Sequence, residues 1–302
     1  ALQQLINKSG EKFKLEGWDW RYYSEILRKE QYDLDEEEIR SYFALDNVRS
    51  GIFLLVNKLY GLTFKEDKTI PVYHPDATAY QVFDADGSFI GILYMDMHPR
   101  QSKRGGAWMT SYREQYYKGT QKITPVVSLV CNFSKPAGDM PSLLTYDEAE
   151  TFFHEFGHGL HGLLSNCTYK TLAGTSVPRD FVELPSQIME HWLGEPELLK
   201  LFATHYKTGK TIPQELITKL DNSSKFNQGF VTTEFLAAAL LDMSYHSLQS
   251  PMTMTADNFE EKELNEIGLI PEITVRYRST YFRHIFAGGY DAGYYSYIWS
   301  GV

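Results

Sequence analysis

Residues 145–164 constrain the fold of this chain more tightly than any other stretch, because they carry His154-Glu155-Phe156-Gly157-His158. Two imidazoles four residues apart leave the same side of an α-helix one turn apart, since the helix repeats every 3.6 residues. So placed, two neutral rings can hold one Zn²⁺, and the intervening Glu155 is positioned to take a proton from an attacking water. The start of this helix is marked in the sequence. Thr145 and Glu148 fit a capping box, and Asp147, Glu148 and Glu150 load the first turns with the negative charge a helix N-terminus favours. Gly157 and Gly159 each cost about 1 kcal/mol relative to alanine in a helix interior, which predicts that another backbone or a substrate comes close to them.

The third ligand decides the class of site. The metzincin pattern requires Gly at 161 and His at 164; this chain has His161 and Leu164, which excludes it. His161 lies seven residues from His154, about 10.5 Å along the axis. Zn–N bonds are about 2 Å long, so His161 is read as a pocket wall or a second layer around the site. Glu183, in Arg179-Asp180-Phe181-Val182-Glu183-Leu184-Pro185, follows Pro178 as a residue near a helix start would. A connection of about twenty residues lets that helix fold back beside the first. The spacing alone leaves Glu183 either the third ligand of an open, catalytic His₂Glu site or an ordinary helix carboxylate. Gln187 and Glu190, one and two turns further on, can orient a ligand or face solvent.

Composition narrows the partners. A net charge of −10 argues against nucleic acid and anionic membrane, both of which require basic patches. Cys131 and Cys167 form no CxxC and no disulfide framework, which points to a reducing compartment. Phe235 to Leu241 is the kind of apolar run present, too short to span a bilayer. No signal peptide is visible at the first residues, and a cytoplasmic location is the expectation.

Along the chain, 18–60 reads as helical. Trp18, Trp20, Tyr22, Tyr23, Ile26 and Leu27 form an aromatic face assigned to core packing. Asp35 caps a second run from Glu36 through Ile39, Phe43, Ile52, Leu55 and Leu59, stopped at Gly61. Tyr80–Phe83 and Phe89–Tyr94 flank Asp84-Ala85-Asp86-Gly87 as a hairpin, His98 to Gly106 reads as a polar loop, and 125–133 reads as a strand. Pro125 suits a strand start or an edge; as an edge, this strand is expected either to take up peptide by backbone pairing or to be covered by protein. Later helices are expected at 195–206, 213–226, 232–248 and 256–267, punctuated by Gly209, Gly229, Pro251 and Gly268. The fold class is therefore mainly α with a small antiparallel β-sheet, an α+β domain. It runs as one catalytic region: a helical lead-in at 1–70, the sheet at 71–144, and the zinc-binding helices with a Tyr-rich segment at 145–302. In that segment, three glycines and the phenols of Tyr290, Tyr294 and Tyr297 read on their own as an aromatic helix face.

Four segments together resemble the thimet oligopeptidase family of zinc peptidases: FFHEFGHGLHGL at 152–163, LAGTSVPRDFVELPSQIMEHW at 172–192, RYRSTYFRHIFAGGYDAGYYSYIWS at 276–300, and WDWRYY at 18–23. Within it, PRDFVE and RYRSTYF are most similar to the bacterial peptidyl-dipeptidase, or dipeptidyl carboxypeptidase, branch. The resemblance implies a zincin-like fold of the gluzincin type and one Zn²⁺ on His154, His158 and Glu183, with Glu155 as general base. It also implies a Gly-Tyr loop closing over substrate, with His284, Tyr290 and Tyr297, and less strongly Tyr294, stabilising the reacting carbonyl. It implies hydrolysis of short peptides, releasing dipeptides from a free C-terminus, with Arg276, Arg278 or His284 available to the terminal carboxylate. An endo-acting oligopeptidase is the alternative within the family, and a catalytically incompetent peptide-binding fragment the alternative outside it. Family members are longer, so the chain reads as a catalytic-domain fragment. Oligomeric state is not indicated.

Overall fold

A computed structural model describes residues 1–302. In chain order the elements are α1 (Leu2–Lys8), α2 (Trp20–Tyr32), α3 (Glu36–Arg40), α4 (Leu45–Tyr60), β1 (Thr63–Glu66), β2 (Ala77–Phe83), β3 (Phe89–Asp96), β4 (Trp108–Arg113), β5 (Tyr116–Lys118), β6 (Gln121–Ile123) and β7 (Val126–Val130). There follow α5 (Tyr146–Leu163), α6 (Arg179–Val182), α7 (Leu184–Leu193), α8 (Pro196–Phe202), α9 (Gln214–Ser223), α10 (Gln228–His246), α11 (Ala256–Glu266), α12 (Arg283–Ala287) and α13 (Ser296–Ser300). The chain forms two compact units, one from Asp35–Ile217 and the other from Ala1–Leu34 with Thr218–Ser300. No helix is long and apolar enough to cross a membrane.

In the Asp35–Ile217 unit, a five-stranded sheet of order β1-β2-β3-β7-β4 supports α5. The expected hairpin is present as β2 and β3, antiparallel with Tyr80 opposite Leu93, and Gly87 takes φ +83° in its turn. Two expectations are corrected. The sheet is mixed rather than antiparallel, because β7 runs parallel to β3 with Ile92 opposite Val126. Strand 125–133 is also not an edge: β7 lies between β3 and β4, so the backbone-pairing role expected for it has no free edge to act through. Pro125 precedes the strand and marks its start, and its carbonyl accepts the Ile92 amide at 3.1 Å. A parallel pair requires a crossover of a dozen or more residues, which the segment between β3 and β7 supplies. The local trace of this pairing in the sequence is Gly91, whose Cβ would sit 2.7 Å from the Pro125 carbonyl oxygen.

The stretch read as one helix from Glu36 to Leu59 is two. Phe43 and Leu45 turn their backbones outward to Leu144 N (2.9 Å) and Ser142 O (2.8 Å), a pairing across a hundred residues that helix propensity cannot anticipate. Strand β1 falls within the expected helical lead-in and pairs with β2, Thr63 opposite Phe83. The Asp35 cap and the left-handed Gly61 stop are both present. On the α5 side of the sheet, Phe152, Phe153 and Phe156 are fully buried, each side chain contributing about 1.5–3 kcal/mol on leaving water. Phe156 meets Phe53 of α4 and Phe64 of β1 at ring distances of 6.0 and 5.6 Å.

In the other unit, Trp20 stacks on Phe230 at 4.6 Å, while Tyr23 packs with Leu2, Ile6 and Leu15. Trp18 and Tyr22, placed with the core face from sequence, are exposed. Trp18 precedes the first turn of α2, and Tyr22 follows Trp20 by two residues, about 200° round the helix. α10 begins at Gln228, so Gly229 lies inside its first turn and does not end a segment. A second core in this unit joins Ala237, Ala238 and Leu241 to Phe259, Val275, Phe282, Ile285 and Tyr294.

Candidate active site

α5 is capped as its sequence requires: Thr145 Oγ1 accepts the Glu148 amide at 3.0 Å, and Glu148 Oε2 accepts the Thr145 amide at 2.8 Å. Leu129 of β7 packs on Gly159, while Met109 of β4 and Val127 of β7 pack on Gly162, fixing the rotation of α5 over the sheet. Against its other side lies α7. Pro185 cannot donate to the carbonyl of Phe181, so the helix is interrupted there. Glu183 occupies the junction between α6 and α7, with φ −85° and ψ −13°.

The crossing of α5 and α7 depends on Gly157. A Cβ there would sit 2.5 Å from the Pro185 carbonyl oxygen and 2.6 Å from Ser186 Cα. This is the backbone approach expected from sequence. Gly157→Ala must push the two helices apart, and chemical denaturation should show a stability loss of about 1–3 kcal/mol. A variant as stable as the parent would mean that the crossing adjusts without cost.

The consequence of that crossing is convergence. Glu183 Oε2 lies 3.3 Å from His154 Nε2 and 3.1 Å from His158 Nε2, and the three ligand atoms fall within 4.8 Å of one another. Two ligands of a tetrahedral zinc at bond lengths near 2.0–2.1 Å lie about 3.3 Å apart, so these separations fit one ion. Glu183 is 1% exposed, and the single hydroxyl proton of Ser186 is shared between the Glu183 carbonyl oxygen at 2.8 Å and its Oε2 at 3.1 Å. His154 Nδ1 is 2.5 Å from Glu190 Oε1. With the proton at Nδ1 donated to Glu190, the Nε2 lone pair faces Glu183. With His158 in the same tautomer, acceptor atoms of three residues converge on one place, an arrangement a bound cation would satisfy. The same preference is visible in the proton affinity of His154: burial pulls its pKa down, but hydrogen bonds to Glu183 and Glu190 outweigh this and raise it to about 10.

Glu155 points off the same helix, 5% exposed, and its Oε2 has no hydrogen-bond partner. Burial pushes its pKa up, His154 and His158 hold it down, and the net direction is upward. A desolvated carboxylate with an unused oxygen suits proton transfer. His161 does not join the triad. It lines a cavity of about 450 Å³ with Gly157, Leu160, Leu164, Pro185 and Ile188, and burial lowers its pKa. Sequence reasoning missed Ser186 as the hydroxyl that holds Glu183; its i+3 spacing from that residue was the available signal. Cys131 and Cys167 are both free.

The residues expected to act on the carbonyl gather in the other unit. Tyr290 and Tyr297 stack with ring centroids 5.5 Å apart and planes 7° apart. His284 lies 6.0 Å from Tyr290 and 5.6 Å from Tyr294. Tyr294 is 2% exposed and stacks on Phe235 at 4.9 Å, the setting of an anchor. Among the candidate cations, both arginines are engaged: Arg278 pairs with the buried Glu260, and the Arg276 guanidinium, 5.8 Å from the centre of the Tyr277 ring, is drawn in against the Tyr277 and Tyr294 hydroxyls.

An α+β unit in which a helix-borne His-Glu-x-x-His meets a carboxylate from the next helix defines a candidate metal centre of the His₂Glu kind. The chain belongs to peptidase family M3, which it matches along residues 1–302. It is 46% identical over 303 residues to the dipeptidyl carboxypeptidase of Escherichia coli (strain K12), covering 99% of this chain and 44% of that protein. Identity to the dipeptidyl carboxypeptidase of Salmonella typhimurium (strain LT2) is 44% over 302 residues, 99% of this chain and 44% of that one. Identity to oligopeptidase A of Escherichia coli is 38% over 294 residues, 96% of this chain and 43% of that one. The chain thus spans somewhat under half the length of these relatives.

Proposed function

We propose that this chain carries the centre of a gluzincin-type zinc peptidase that releases dipeptides from the free C-terminus of short peptides. The observation that supports the metal centre most is the convergence of His154 Nε2, His158 Nε2 and Glu183 Oε2 at separations fitting one tetrahedral ion. The donor set, two imidazoles and one carboxylate, suits zinc with one position open. When bound, zinc supplies a Lewis acid that polarises a peptide carbonyl and brings the pKa of water to about 7.

The chain's own residues do the rest. Glu190 fixes the His154 ring and Ser186 the Glu183 carboxylate. Glu155 takes the proton of the attacking water at its partnerless oxygen, holds it, and delivers it to the departing amine. In this reading, which the family resemblance supports, Tyr290, Tyr297 and His284 donate to the oxygen that gains charge at the reacting carbonyl, and Arg276, Arg278 or His284 takes the terminal carboxylate.

Removal of dipeptides is favoured over internal cleavage by the higher identity to the two dipeptidyl carboxypeptidases, 46% and 44%, against 38% for oligopeptidase A. The test is mass spectrometry of the products from a peptide and its C-terminally amidated twin, using the full-length protein. Dipeptides from the free acid alone are expected. Equal cleavage of both assigns the endo-acting alternative, and cleavage of neither, insensitive to added zinc, assigns a peptide-binding module.

A further inference from the structure

The segment from Gly288 to Tyr295 has no regular secondary structure, lying between two five-residue helices, α12 and α13. It departs from α12 through Gly288 and Gly289, the latter at φ +78°, and Ala292 takes φ +52° although it carries a side chain. Gly289, Asp291 and Ala292 are exposed. Isolated turn bonds shape it, Tyr290 N to His284 O at 3.0 Å and Gly293 N to Tyr290 O at 2.9 Å, but with adjacent glycines and no regular ladder they leave the segment dependent on contacts outside itself for a single conformation.

What fixes it is on α10. Asp242 is completely buried. Its Oδ1 accepts the amide of Ala292 at 3.0 Å, and its Oδ2 accepts the amide of Tyr294 at 2.9 Å. On its own helix, one turn on, His246 Nδ1 lies 2.8 Å from Oδ1. Both carboxylate oxygens are thus committed to the segment. α10, nineteen residues long and set in the unit's core through Ala237, Ala238 and Leu241, provides a rigid base. Tyr294, whose amide is held, inserts its ring against Phe235, while its neighbours along the chain, Tyr290 and Tyr297, stack together half-buried.

We propose that Asp242 is a positioning residue: its two oxygens clamp the 292 and 294 amides and thereby set the placement of Tyr290 and Tyr297, the phenols to which the proposed peptidase chemistry assigns the reacting carbonyl. The inference rests on that functional reading for its catalytic consequence, but not for the clamp itself. No side chain of equal length replaces the carboxylate here. Asparagine presents one acceptor oxygen and one NH₂ group, so one of the two amides must face a donor.

The experiment is hydrogen exchange of the full-length protein followed by mass spectrometry, in parallel with peptide hydrolysis. Asp242→Asn should raise exchange in peptides covering 290–296 by about 10–100-fold, the worth of one hydrogen bond to a charged acceptor, with α5 and the sheet unchanged. It should lower kcat more than it raises KM, and its effect on kcat should shrink in a Tyr290→Phe, Tyr297→Phe background, because groups acting through one another are not additive. His246→Ala, which keeps the carboxylate and removes the imidazole beside it, should loosen the same peptides less, and it serves if Asp242→Asn does not fold. Unchanged exchange over 290–296 in the folded variants overturns the proposal. So does a raised exchange with kcat intact while the tyrosine variants are impaired. Raised exchange together with fully active tyrosine variants supports the clamp and removes the catalytic reading of the phenols instead.

Discussion

Replacing Glu155 with glutamine should leave metal binding intact and lower kcat by roughly 10²–10⁴-fold, the span over which a positioned acid–base group contributes. The substitution keeps the size of the side chain and removes only its ability to accept and return a proton. Glu155 is not among the three converging ligand atoms, so metal affinity has no reason to change. The residue is buried without a hydrogen-bond partner for Oε2, so a neutral amide there should also not destabilise the protein, as it spares the desolvation of a charge. Steady-state kinetics and metal analysis of the same full-length preparation check both halves. Near-parental turnover would show that the proton is handled elsewhere.

Glu183→Ala should have the second large effect, on the metal itself. It removes one of three converging donors and leaves two imidazoles one helical turn apart. The loss of affinity, read by competition with a chromophoric chelator, should exceed the roughly 10–100-fold expected on removing an outer partner such as Glu190. The two variants together separate roles seven residues apart: Glu183, at the start of α7, would supply an atom to the site, while Glu190, within α7, holds the His154 ring through Nδ1. Equal, small losses in both would mean that Glu183 is a structural carboxylate and not a ligand.

The parts of this site that could be read in advance are those set by short-range geometry. The His154–His158 spacing, the Thr145 cap and the tight approach at Gly157 all follow from a helical repeat acting over a few residues. Glu183 was legible only as a possibility, because nothing in its spacing says that α7 returns beside α5; the family resemblance selected it. Strand β7 was located but misplaced in the sheet. Its neighbours are decided by a crossover of some thirty residues, and Pro125 reads equally as a strand start or an edge. The break between α3 and α4 was hidden for the same reason, since the backbone partners of Phe43 and Leu45 lie a hundred residues away. Asp242 carried no signal of its own: one of two acids in an apolar helix, it acquires meaning only when the amides of Ala292 and Tyr294 arrive in front of it.

On the reading proposed above, one cation is held between α5 and the start of α7. Anomalous diffraction at the zinc absorption edge, on crystals of the metal-loaded protein, tests it directly. A single strong peak is expected, about 2.0–2.2 Å from His154 Nε2, His158 Nε2 and a Glu183 carboxylate oxygen. A peak that leaves Glu183 out, or one found on other residues, would contradict the account.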